Sequence, residues 1–152
     1  MMQRLLDANG LPQYERILYV TDGSPAAQAA GRHAVFLAQR SQAQLIVLDI
    51  IPNSITRRIS CLMRGALGEE RRIAREAVEE IANLAAASGV GTVTAIESGH
   101  RGDAIDRAAS RFDVDLVVMS SPGGEDLQRI FGPPHAGSAP LWETRPICVI
   151  MC

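Results

Sequence analysis

Short apolar, β-branched runs alternate with helix-patterned segments along almost the whole chain, and this alternation restricts the fold more than any other feature. Arg16–Thr21 (RILYVT), Leu45–Ile51 (LIVLDII), Thr92–Glu97 (TVTAIE), Asp115–Met119 (DLVVM) and Ile147–Met151 (ICVIM) read as strands. Between the first two, Asp22-Gly23 makes a turn, Ser24 offers an N-cap and Pro25 sits at the first helical position. A helix is expected from Pro25 to about Arg40, with Ala26, Ala29, Ala30, His33 and Leu37 at helical spacing; His33 reads as a surface or edge residue. Pro52 stops the second strand, and residues 53–68 read as a long polar loop. A helix from about Glu69 to Ala87 follows, with Ile73, Ala77, Ile81 and Leu84 on one stripe and Arg72–Glu76 and Arg75–Glu79 pairs outside it. Gly89 and Gly91 end it. Asp103–Phe112 is a shorter helix with Ile105, Ala108, Ala109 and Phe112 inward, and a Gly/Pro-rich stretch, Ser120–Pro140, leads to a last short helix around Leu141.

Strands that are apolar on both faces and separated by helices imply an α/β fold: an open five-stranded parallel sheet covered by helices on both faces. The 152 residues make one domain, taken as residues 15–152 behind an N-terminal lead of residues 1–14. That lead carries Asp7 and lacks an apolar h-region, so a signal peptide is not expected.

The charge pattern excludes several partners. Net charge is −2 and all fifteen basic residues are arginine, so no general pull on nucleic acid is expected. The local run Arg57, Arg58, Arg64, Arg71, Arg72 and Arg75 is diluted by Glu69 and Glu70 and has no aromatic partners, which suits a loop and a solvated helix face. No stretch of about 18 apolar residues occurs, so no membrane span is expected. Cys61, Cys148 and Cys152 are odd in number and show no CxxC spacing, which points to free thiols in a reducing cytoplasm and to no metal site.

In such a sheet, ligands bind beyond the carboxyl ends of the strands, where the strand order reverses. The candidates there are Asp22 and Ser24 after the first strand, Asp49 in the second, Gly99 and His100 after the third, and Ser120–Gly124 after the fourth. Asp22 ranks first, because its carboxylate could accept from a ligand amine or sugar hydroxyl; the plainer role is an Asx-turn closing the strand–helix corner. Ser120-Ser121-Pro122-Gly123-Gly124 is small enough for close approach of a phosphate. His100 has no carboxylate at a recognisable spacing and is not expected to be catalytic.

Taken in order, these segments resemble the universal stress protein family from Arg16 to Ile150. The opening Ile17-Leu18-Tyr19-Val20-Thr21-Asp22-Gly23-Ser24 is similar to the family's strand running into an Asp–small–Ser turn. Glu97-Ser98-Gly99 through Ile105 resembles its third strand and following helix. Asp115-Leu116-Val117-Val118-Met119 resembles its fourth strand, and Ile147 follows Pro146 as its last strand follows a proline. The resemblance implies strand order 3-2-1-4-5 (a Rossmann-like sheet of the adenine nucleotide alpha hydrolase type), a dimer, and a cytoplasmic role in stress survival.

Some members of that family bind ATP through a G-x-x-G, nine residues, then G-Ser/Thr pattern after the fourth strand. Laid without gaps, this chain puts Ser120, Gly123, Pro133 and Pro134 at those four positions, so one of them is kept. Gly137-Ser138 can replace the last pair only by lengthening the loop and shortening the run to the last strand. Proline has no N–H for a phosphate, and losing two charged hydrogen bonds at about 1.5–3 kcal/mol each costs roughly two to four decades of affinity. Asp22 and Met119 match positions that line the family's adenine and ribose pocket. The expectation is therefore a non-catalytic protein with weak or lost ATP binding and no other cofactor. The other reading left open is an ATP- or AMP-gated stress protein using Asp22, Ser24, Met119, Ser120 and Gly123.

Other classes on related folds each lack a part. A response-regulator receiver needs a lysine near the fifth strand, and the chain has none; a flavodoxin needs flavin-stacking aromatics, which make up 4% here. The Ser-Gly-Gly-x-Asp loop of ATP pyrophosphatases is faintly echoed by Pro122-Gly123-Gly124-Glu125-Asp126, after the wrong strand. In the order 3-2-1-4-5 the uncharged apolar run Ile147–Cys152 lies at a sheet edge, without the lysine, proline or bulge that blunts such edges. A homodimer through this strand is expected, with a further protein partner open; the alternative is that Leu5, Leu6 and Leu11 of the lead cover the edge.

Overall fold

The apolar runs form the strands and place the core on both sides of one sheet. In the computed structural model, residues 6–51, 64–121 and 145–151 are described. The elements are β1 (Arg16–Thr21), α1 (Pro25–Ser41), β2 (Gln44–Ile51), α2 (Arg64–Ala87), β3 (Thr92–Ser98), α3 (Arg101–Phe112), β4 (Leu116–Ser121) and β5 (Ile147–Met151). The sheet has five strands in the order β3-β2-β1-β4-β5, as expected. All four pairings are parallel, with Thr21 beside Asp49 between β1 and β2, Tyr19 beside Val118 between β1 and β4, and Met119 beside Val149 between β4 and β5.

Helices lie on both faces. Alternate residues Ile17, Tyr19, Leu45, Val47 and Val118 pack with Ala30, Ala34 and Ala38 of α1 and Val78, Ile81 and Ala85 of α2. The opposite set, Leu18, Val20, Ile46, Leu48, Val117 and Met119, packs with Ile105, Ala108 and Ala109 of α3, with Phe112 partly buried against it. The period-two alternation of the strands thus serves two apolar layers at once. At the amino end of the sheet, Asp115 Oδ2 accepts from the main-chain N–H groups of Glu15 at 2.7 Å and Arg16 at 2.9 Å, fixing where β1 enters beside β4.

Three details depart from the sequence reading. The buried face of α1 is Ala27, Ala30, Gly31, Ala34, Val35 and Ala38, so of Ala26, Ala29, Ala30 and Leu37 only Ala30 is fully buried; His33 is exposed, as expected of a surface residue. The cause is Gly31: with no side chain it lets α1 sit close upon Tyr19 and Ile81, and that contact sets the helix rotation. The buried line of α2 runs Ala77, Ile81, Ala85 in steps of four, joined by Val78, and leaves Leu84 39% exposed. α2 also begins at Arg64, inside the segment read as loop. Its outer face does carry the expected Arg72–Glu76 pair, at 3.1 Å. The remainder of the expected loop, residues 53–63, and the expected last helix around Leu141 lie outside the described residues.

Candidate functional site

The strand order reverses between β1 and β4: β2 and β3 lie on one side of β1, β4 and β5 on the other. A crevice at the carboxyl ends of β1 and β4 follows from that topology. The β1–α1 corner forms one wall. Gly23, at φ +80°, makes the turn that a side chain would strain.

Within this corner the polar groups satisfy one another. Thr21 Oγ1 accepts from the Gly23 N–H at 3.1 Å, and Asp22 Oδ1 accepts from the Ser24 N–H at 2.9 Å. Ser24 Oγ accepts from the Ala27 N–H at 3.1 Å, the expected N-cap, and the Ser24 carbonyl accepts from the Gln28 N–H at 3.0 Å. Pro25 has no N–H to give. The Asx-turn assigned to Asp22 as its plainer role is therefore present. Asp22 is also exposed, and its Oδ2 has no hydrogen-bond partner among the described residues. Beneath the corner, the Tyr19 hydroxyl donates to the Ala27 carbonyl. Burial pushes the Tyr19 phenol up to about 12; the Thr21 hydrogen bond opposes the shift, and the Asp22 and Glu80 carboxylates add to it.

The other candidates are placed less uniformly. Ser120 is 2% exposed at the end of β4, two residues beyond Val118 as Thr21 is two beyond Tyr19. Met119 is fully buried in the layer under α3, so its side chain belongs to the core. Asp49 is half-buried in β2 between Thr21 and Ile96. His100 is exposed, is the N-cap of α3 and makes no side-chain capping bond; Gly99 before it turns at φ +113°. Gly123 and Gly124 lie outside the described residues. Among the described residues, no group of three or more His, Cys, Asp or Glu could hold a metal ion.

Arg101 is the residue the sequence reading missed. It is half-buried at the first position of α3, and its guanidinium donates to the Ser120 carbonyl at 3.5 Å. The available signal was a cation at a helix N-terminus, where the helix dipole disfavours it.

The comparisons agree with this geometry. The profile of the universal stress protein family matches residues 13–136. A universal stress protein of Methanocaldococcus jannaschii is 28% identical over 127 residues, covering 80% of this chain and 73% of that protein. The solved universal stress protein UspA of Lactobacillus plantarum superposes with a TM-score of 0.67 at 27% identity, covering 91% of this chain and 98% of its own. A universal stress protein solved in complex with cAMP has a TM-score of 0.63 at 21% identity, covering 90% and 97%, and shares the fold. With its sheet order, its β1–α1 corner and a profile match over most of its length, this chain belongs to the universal stress protein family.

Proposed function

We propose that the protein is a non-catalytic stress-response protein of the cytoplasm, a homodimer joined through β5, whose crevice binds ATP weakly or not at all. The self-satisfied β1–α1 corner carries this reading. A phosphate gathers N–H donors at a helix N-terminus, and here those of Gly23, Ser24 and Ala27 are engaged within the chain. Pro133 and Pro134 in the β4–β5 connection withhold two more. The dimer is supported by β5, an edge strand whose residues Ile147, Cys148, Val149 and Ile150 are all only half-buried. Leu6 and Leu11 stand 59% exposed, which disfavours the lead as a cover for that edge. Residues 15–152 form the functional unit of this reading, with residues 1–14 as its lead.

A second reading, an adenine-nucleotide-gated stress protein, has the open Oδ2 of Asp22 in its favour, together with the cAMP complex of a protein of the same fold. Asp22, Ser24, Ser120 and Gly123, with the main chain at Met119, would then hold ATP or AMP. Denaturing the purified protein and analysing the released small molecules separates the two. The first reading expects no adenine compound; a stoichiometric adenine nucleotide contradicts it and favours the second.

A further inference from the structure

We propose that Arg101 recognises an anionic group in the crevice and selects a nucleoside carrying one compact phosphate over both the bare nucleoside and the triphosphate. This rests on the second reading above, in which an adenine compound enters the crevice. The described arginines mostly face carboxylates: Arg107 and Arg111 meet Glu97, Arg16 and Arg145 meet Asp113, and Arg32 meets Glu80. Arg101 is half-buried, yet its polar contact among the described residues is one long donation to a neutral carbonyl. A guanidinium has five donors in a rigid fork, so most of that capacity is unspent. Its place at the start of α3 works against the helix dipole. Helix stability does not account for it.

Its position gives it a use. The carbonyl it meets belongs to Ser120, near the end of β4, on the edge where Asp22 follows β1. That edge then carries a carboxylate with an open oxygen for a ligand hydroxyl or amine, and a guanidinium for a ligand anion. One guanidinium matches one phosphate in a bidentate fork. Further phosphates find few donors among the described residues, because the β1–α1 corner has used its own, and Pro133 and Pro134 of the β4–β5 connection have none to give.

Titrating adenosine, AMP and ATP with magnesium into wild type, Arg101→Gln and Arg101→Lys tests this, with circular dichroism to check each variant's fold. The expected result is AMP about tenfold or more tighter than adenosine in wild type, with ATP gaining nothing over AMP. Arg101→Gln should abolish that preference while leaving adenosine unchanged, and Arg101→Lys should keep part of it. Salt should weaken AMP and spare adenosine in wild type, a readout that needs no variant. Adenosine and AMP binding equally, or a preference that survives in Arg101→Gln, overturns the assignment and leaves nucleotide binding standing. If none of the three ligands binds, both the assignment and the second reading fall.

Discussion

The main-chain N–H of Ser24 donates to the Asp22 carboxylate at 2.9 Å, so the residue best placed to meet a ligand also holds the strand–helix corner. Asp22→Ala should therefore lower stability by about 0.5–1.5 kcal/mol without any ligand present. Asp22→Asn keeps an acceptor oxygen and should lose less. Ser24→Ala removes the N-cap of α1 and should cost about 1 kcal/mol. Urea unfolding of the three variants checks the set. Alanine variants as stable as wild type would show that the corner is held by something else.

Gly31 is a point of close approach of α1 to Tyr19 of β1 and Ile81 of α2. A Cβ there would lie 2.9 Å from Cζ of Tyr19 and 2.7 Å from Cδ1 of Ile81. Gly31→Ala, although it favours helix, should destabilise by about 1–3 kcal/mol because those side chains must move. A gain in stability, measured by urea midpoint, would contradict the packing.

The same contact explains what the sequence could and could not reveal. All five strands and their parallel arrangement were legible, because runs such as Leu45–Val47 have no alternative to burial, and Ser24-Pro25 marks its helix start by chemistry. The α1 face was not legible: the helix is mostly alanine, so its periodicity has little contrast, and a glycine does not announce that it is a contact. The start of α2 was hidden because Gly65 and Gly68 read as loop while the helix runs through them. At the site, Asp22 and Ser24 were legible as a turn and cap. Met119 could be placed only once β4 alternation put its side chain under α3. Arg101 was missed because its partner, the Ser120 carbonyl, is nineteen residues away and has no side-chain signature.

Tyr19 makes stability sensitive to alkali. Folded, it keeps its proton to about 12, whereas the ordinary tyrosine value is 10.0. Between those values the unfolded chain has lost the proton that the folded chain retains, so stability falls as pH rises, by about 1.4 kcal/mol per unit. Below pH 10 the contribution is fully present. Urea midpoints across this range should show the fall in wild type, and Tyr19→Phe should remove that component. An identical slope in both would assign the alkaline loss to other groups.

Val149 lies in the middle of β5, half-buried on an edge strand. If two copies pair there about a two-fold axis, Val149→Lys sets like charges together at the joint and should yield a folded monomer. Sedimentation decides. A wild type that stays monomeric at tens of micromolar contradicts the dimer, as does a variant that stays folded and dimeric.

Calorimetric titration of the purified protein with ATP and magnesium measures the loss of ATP binding itself. With the donors of Gly23, Ser24 and Ala27 engaged and Pro133 and Pro134 withholding theirs, little or no heat of binding is expected below the high micromolar range. A saturable isotherm with a dissociation constant in the low micromolar range or tighter would contradict the account.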